Sequence, residues 1–115
     1  MKFTVTEDWY ATYADPISLK AGDILLLCGR QDIWDGHIWL WAKSKSGLEG
    51  WVPDNMVKKT NSGYVSAEDY TAAELTCQAG QTVTGEKETH GWVFCRSSGG
   101  SAGWVPLKNL VPNVS

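Results

Sequence analysis

Residues 47–57 read GLEGWVPDNMV, and residues 100–110 read GSAGWVPLKNL. A chain of 115 residues therefore writes Gly-Trp-Val-Pro twice, 53 positions apart. Proline is barred from the interior of helices and of central strands, so each copy marks the end of an extended segment rather than a point inside a helix.

Working outward, further matches fall in the same order. His37 and Trp39 match His90 and Trp92 at the same offset of 53, Ala21-Gly22 matches Ala79-Gly80 at 58, and Asp8 matches Asp69 at 61. Only two spacers differ. The second copy is three residues shorter before Ala-Gly and five shorter between Ala-Gly and His-x-Trp. Length changes of that size are expected in loops. Between the copies, Lys58 to Gly63 (KKTNSG) is polar and ends in glycine, which reads as a linker. The expected organisation is one domain over 1–58, a linker over 59–63 and a second domain over 64–115.

The pattern within each copy is that of strands. Residues 24–30 (ILLLCGR), 38–43 (IWLWAK) and 92–96 (WVFCR) are β-branched and aromatic runs. The apolar run at 24–28 is expected to be covered on both faces or to sit at a barrel bend. Gly47, Gly50, Gly100 and Gly103 supply turn and bulge positions. No ten-residue window keeps a helical period free of glycine and proline. Short strands with glycine turns predict small barrels.

Composition narrows the function. The net charge is −3, with seven basic and eight acidic residues in 1–60 and three against five in 61–115. The longest basic run is Lys58-Lys59, so the basic face of a nucleic-acid binder is not expected. The start, MKFTVTEDWY, has no apolar segment of the kind a secretory leader needs, and no run approaches a membrane span. A cytoplasmic setting without membrane attachment is the expectation. The three cysteines, Cys28, Cys77 and Cys95, form no C-x-x-C pair. They read as buried small apolar residues, not as zinc ligands or a disulfide framework. No nucleophile–base pair, phosphate loop or metal spacing is present. Glu7-Asp8 and Glu68-Asp69 are adjacent in extended sequence, so their side chains diverge. No enzymatic activity, cofactor or metal is expected.

The residues quoted resemble the Src-homology-3 (SH3) domain. The first copy has DWYA, ISLKAGD, WLWAK and GWVPDNMV; the second has EDYTA, ELTCQAG, WVFCR and GWVPLKNL. The likeness covers nearly the whole chain, and the second copy is similar to small bacterial proteins made of tandem SH3 domains. It implies an all-β fold of two tandem, five-stranded, partly open barrels. Ile17, Leu19, Ala42 and Val52 in one copy, and Leu75, Cys77, Cys95 and Val105 in the other, would fill the cores.

The resemblance also implies two ligand grooves and a protein or peptide partner. Their central tryptophans would be Trp39 and Trp92, their first-motif aromatics Trp9 and Tyr70, and their walls Trp51, Pro53, Trp104 and Pro106. Where proline-rich-peptide binders carry further tyrosines, this chain has Glu7 and Glu68 at one position, and Met56 and Asn109 at another. The acidic residue before the core leucine is Glu74 in the second copy, but Pro16 stands there in the first. Prolines of an extended ligand insert between flat rings. A carboxylate beside tryptophan favours a cation instead. The expected ligand is a Lys- or Arg-bearing extended peptide bound near Glu7, Trp9, Trp39 and Trp51. The alternative is recognition of bacterial cell-wall peptide. His37 and His90, each two residues before a central Trp, would give the groove edge a pH dependence.

Overall fold

The computed structural model describes residues 1–113, so the last two residues of the expected second domain, 114 and 115, lie outside the described residues. The described chain is all-β. Its strands are β1 (Lys2–Val5), β2 (Ser18–Leu19), β3 (Ile24–Trp34), β4 (His37–Ser44), β5 (Glu49–Pro53), β6 (Val57–Thr60), β7 (Gly63–Ser66), β8 (Tyr70–Thr71), β9 (Thr82–Thr89), β10 (Trp92–Ser97), β11 (Ala102–Pro106) and β12 (Leu110–Pro112). The only helical elements among the described residues are single 3-10 turns, Asp54–Met56 and Leu107–Asn109, each directly after a Gly-Trp-Val-Pro strand.

Two five-stranded sheets carry the repeat, in the orders β5-β4-β3-β7-β6 and β11-β10-β9-β1-β12. The orders correspond element by element, with one exchange. The first strand of the chain, β1, pairs with β9 and β12, through Phe3 opposite Val83 and Pro112. The strand that opens the second sequence copy, β7, pairs with β3 and β6 of the first. The structure accordingly divides into Asp15–Ala72 and a composite of Met1–Ala14 with the residues from Ala73 onward.

The structural units are therefore not the halves 1–58 and 64–115, and 59–63 is not a linker. The reason is local. Thr60 pairs with Gly63, so only Asn61 and Ser62 separate β6 from β7. The Thr60 hydroxyl donates to the Gly63 carbonyl at 2.9 Å and accepts from the Ser62 amide at 3.2 Å. A turn this short lays the next strand antiparallel against the one just completed. With β7 seated there, the place beside β6 is filled, and β1 completes the other sheet.

The five-residue spacer difference is also resolved. It is not a loop. Both β3–β4 and β9–β10 close through two-residue turns, Asp35-Gly36 and His90-Gly91, with φ of 51° and 79°, and 52° and 80°. Positive φ at both central positions is the mark of a type I′ hairpin turn, whose twist suits the flanking strands. The extra residues of the first copy lengthen the hairpin by Ile33-Trp34 and His37-Ile38 and enlarge a bulge between Leu27 and Gln31. The second copy's bulge is smaller, between Gly85 and Lys87. His37 thus lies on a strand opposite Trp34, while His90 occupies a turn. Their common spacing from tryptophan does not make them equivalent.

The expected core residues are buried. Ile17, Leu19, Ala42 and Val52 belong to the 15–72 unit, and Leu75, Cys77, Cys95 and Val105 pack with Phe3, Val5, Val83, Val93 and Leu110 in the other. Phe3 and Val5 come from the first strand, so the composite unit depends on the N-terminal segment for its core. Burial of the thiol pushes Cys95 up to about 11, the nearby Cys77 and Glu86 adding to it, which keeps it an inert core group. Two expectations are corrected. Cys28 is exposed, because it sits in the β3 bulge. The apolar run at 24–28 is covered on one face only, with Leu25 at 1% exposure and Leu26 at 64%, since successive side chains of a strand alternate.

The glycines of the repeat are required by close approach. A Cβ on Gly103 would lie 2.5 Å from the Glu74 carbonyl carbon and 2.6 Å from the Leu75 nitrogen, while one on Gly50 would meet the Ile17 Cγ2 methyl at 2.9 Å. Backbone cannot yield as a methyl can. Gly103→Ala is expected to destabilise by roughly 2–3 kcal/mol, in the range of overpacking changes, and Gly50→Ala by less, as read from denaturant midpoints.

Because Asp15–Ala72 is contiguous and contains its whole sheet, a fragment of residues 15–72 is expected to unfold cooperatively by circular dichroism. Shortening it to 15–60 removes β7 and β8 and should abolish that transition. An unstructured 15–72 fragment would contradict the division described above.

Candidate functional site

The first-motif aromatics are positioned by antiparallel backbone pairing, an isolated bridge in one unit and a short strand pair in the other. In the composite unit, Trp9 and Cys77 exchange backbone hydrogen bonds of 2.8 Å in both directions. In the other, Tyr70 lies opposite Leu19 between β8 and β2. The acid just before each aromatic braces the turn facing it. Asp8 Oδ1 accepts the Ala79 amide at 2.8 Å, and Asp69 Oδ1 accepts the Ala21 amide at 2.9 Å. This explains why Asp and Ala-Gly recur together in the sequence: the carboxylate satisfies a turn amide, and the glycine that follows takes positive φ.

The exchange of first strands redistributes the expected site. Trp9 stands edge-on to Trp92, with ring centroids 5.4 Å apart and planes at 79°. Its indole nitrogen donates to Glu74 Oε1 at 2.9 Å, and the Thr12 hydroxyl donates to the same oxygen at 3.2 Å. The grouping of Glu7 and Trp9 with Trp39 and Trp51 is therefore corrected: Glu7 and Trp9 belong with Trp92, Trp104, Pro106 and Asn109. Glu68 and Tyr70 belong with Trp39, Trp51, Pro53 and Met56.

Exposure separates those residues further. Glu7 and Glu68 are exposed, and Trp9, Trp39, Trp51 and Trp92 are half-buried. Pro53, Pro106, Met56, Asn109, Tyr70 and Trp104 are buried, so they shape the site from beneath rather than offer it a wall. The Asn109 amide donates, at 3.4 Å, to the carbonyls of Glu7 and Asp8, tying the acidic edge to the 3-10 turn. The Tyr70 hydroxyl donates to the Trp51 carbonyl at 2.8 Å. The indole nitrogens of Trp39 and Trp92 are themselves buried.

Glu74 is the chemically distinctive group. It is half-buried, and that burial raises its carboxyl above the ordinary glutamate range, against the lowering effect of the hydrogen bonds from Trp9 and Thr12. Sequence reasoning found Glu74 as the acid before the core leucine but could not see that Trp9 and Thr12, more than sixty residues away, hold it. The arrangement is a partly desolvated carboxylate at the N–H edge of Trp9, which in turn stands edge-on to Trp92; a negative charge beside aromatic rings suits an organic cation. Among the described residues, no three His, Cys, Asp or Glu side chains gather in a way that could hold a metal ion.

Two five-stranded units of one topology, each with a Trp-led strand beside a Gly-Trp-Val-Pro strand, define a tandem small-barrel module. The variant SH3 domain family matches the chain twice, over residues 2–60 and 59–112, and the chain belongs to that family. The matches follow the sequence repeat, whereas the structural units exchange their first strands. No curated protein matched the chain significantly, and neither did any solved structure. SH3 domains are protein-binding modules and are generally non-catalytic, and this chain carries two.

A carboxyl raised on folding gives stability that is full below its unfolded value and is lost as pH rises through its folded value. Carbon-13 titration of the Glu74 carboxyl is expected to show a midpoint above ordinary glutamate. Trp9→Phe, which deletes one donor to the carboxylate, should raise that midpoint further. A Glu74 midpoint at or below the ordinary value would contradict the desolvation described.

Proposed function

We propose that the chain is a non-enzymatic tandem SH3 module that binds an extended peptide through a basic side chain rather than through a proline-rich core. The observation that carries this reading is the Glu74 carboxylate held at the edge of the Trp9–Trp92 pair, 2.9 Å from the Trp9 indole nitrogen. A ligand ammonium or guanidinium placed there gains both the carboxylate and the ring faces. It also relieves the cost of a half-buried charge, because an opposite charge favours the ionised form. Exposed Glu7, anchored through its carbonyl by Asn109, adds negative potential at the same edge. In the 15–72 unit, Glu68 stands at the matching position, but Pro16 replaces the acid before the core residue, so the composite unit is the stronger cation site of the two.

Burial of Met56, Asn109, Pro53 and Pro106 supports the same conclusion from the other direction. A polyproline II ligand needs successive exposed aromatic walls, and these positions supply little accessible surface.

Calorimetric titration tests the reading. A Lys/Arg-bearing peptide and a neutral proline-rich peptide are titrated into wild type, Glu7→Gln, Glu68→Gln, Glu74→Gln and Trp92→Ala at two salt concentrations. Glu7→Gln and Glu68→Gln should each weaken the basic peptide by about 1 kcal/mol or less, with a loss that shrinks as salt rises. Glu74→Gln should weaken it more, and Trp92→Ala by roughly 2 kcal/mol or more, as aromatic anchors do. The neutral peptide should be indifferent to the glutamine changes. Tight binding of the neutral peptide with weak binding of the basic one would overturn the proposal.

A further inference from the structure

The 15–72 unit holds a second pair of facing tryptophans, in which Trp51, grouped above with Trp39 and Pro53, meets Trp41, a residue that the groove does not account for. Trp41 on β4 and Trp51 on β5 are direct partners in the ladder. Their rings meet edge to face at 5.1 Å and 77°. The Arg30 guanidinium carbon lies over both, 4.7 Å from one ring centroid and 5.0 Å from the other. Glu49 Oε1 accepts the Trp41 indole N–H at 3.1 Å, so a carboxylate stands beside the rings. Lys43 is the ladder partner of Glu49.

Arg30 reaches this place because of the enlarged bulge. The β3–β4 register passes from Leu27–Ala42 to Gln31–Leu40, leaving Cys28, Gly29 and Arg30 outside the ladder. Gly29 there adopts a φ of 86°, which a side chain would resist. Bulges re-aim side chains in this way. The composite unit offers an internal comparison. Its Phe94 and Trp104 are ladder partners with nearly the same ring geometry, 5.3 Å and 79°. Its bulge residue is Glu86, whose carboxylate receives the Arg96 guanidinium at 2.9 Å. One bulge thus feeds an ordinary ion pair, and the other places a cation on two rings.

What holds Arg30 is notable for its composition. The residue is exposed, and among the described residues neither a hydrogen bond nor an ion pair engages its guanidinium. The rings alone keep it. Cation–π attraction is modest at exposed sites, so the head can leave without orphaning a buried partner.

We propose that Trp41 and Trp51 form a second binding site, for the guanidinium or quaternary ammonium group of a partner's side chain, with Arg30 as the resident occupant that the ligand must displace. Two rings at right angles offer faces to a soft, weakly hydrated cation, and Glu49 supplies the charge. An internal competitor lowers apparent affinity by the fraction of time the site stands open. Arg30 therefore weakens every incoming cation by the same factor, and a cation enters in proportion to its own affinity and concentration. This site lies wholly within the 15–72 unit and does not rest on the Glu74 reading.

The probe is a capped Gly–trimethyllysine–Gly peptide, with Gly–norleucine–Gly as the neutral control, titrated while the indole N–H signals of Trp41 and Trp51 and the Nε–H signal of Arg30 are followed by NMR. Arg30→Gln is expected to bind the trimethyllysine peptide roughly five- to tenfold more tightly than wild type, the gain expected when a two-ring cation–π occupant is removed. In wild type, saturation should carry the Arg30 Nε–H signal from its ring-shifted position to that of a solvated arginine. Trp51→Leu should abolish the responses of the Trp41 indole and Arg30 Nε–H signals, which report this site alone and so keep a failure here distinct from a failure of the Glu74 site. Equal or weaker binding to Arg30→Gln would overturn the proposal. So would movement of the tryptophan signals with Arg30 unmoved, or equal binding of the norleucine peptide. If Arg30→Gln did not fold, the wild-type displacement measurement would decide alone.

Discussion

The Asn61-Ser62 turn is the constraint on which the rest of the structure depends. A strand that has just ended at Thr60 is followed, two residues later, by one that pairs with it. Local closure of this kind loses little chain entropy, whereas pairing β6 with β1 would join segments more than fifty residues apart. Once β7 occupies the sheet of the first copy, the segment after it, Tyr70-Thr71, pairs with Ser18-Leu19, and the matching N-terminal segment goes to β9 and β12. The composition of both cores and the membership of both candidate sites follow from that one hairpin.

Each candidate site is accordingly a joint product of both sequence copies. Trp9 and Glu7 from the first copy meet Trp92, Glu74 and Asn109 from the second. The distinctive acid before the core residue, present in only one copy, is thereby combined with a tryptophan, present in the first motif of only the other. Neither copy alone supplies both the half-buried carboxylate and the indole that donates to it. Exchange of first strands between modules of one topology is a low-cost rearrangement for the fold, yet it changes which side chains are brought together.

How much of this was legible depended on the range of the interaction. Gly-Trp-Val-Pro, Ala-Gly and the Asp-aromatic pairs disclosed the repeat, the strands and the core positions, since alternation and close packing fix those locally. Val52, Val105, Ala42 and Cys95 are buried as expected. The partner of β1 was not legible, because β1 and β7 carry equivalent patterns and the sequence cannot say which sheet either joins. The polar stretch KKTNSG looked like a linker, although a hairpin turn is polar for the same reason. Spacing counts placed His37 and His90 together, but a lengthened hairpin and a bulge can absorb the same five residues as a loop. The burial of Met56, Asn109 and the two prolines was hidden as well, since a residue's family position does not disclose its accessible surface in this chain. Arg30 over Trp41 and Trp51 arose only from the bulge, which the run ILLLCGR concealed.

The composite unit has a consequence for biosynthesis. Chain emerges from the ribosome in order, and residues 2–5 appear long before their partners at 82–84 and 110–112. The 15–72 unit can close as soon as β7 and β8 are released, with its neighbours in sequence at hand. Throughout that interval the first strand is an open edge with two apolar side chains, Phe3 and Val5, awaiting β9 and β12. Unpaired edges of this kind recruit whatever strand they meet. The order in which the two units mature is thus written into the connectivity, and residues 2–5 find their full pairing only after β12 has been made.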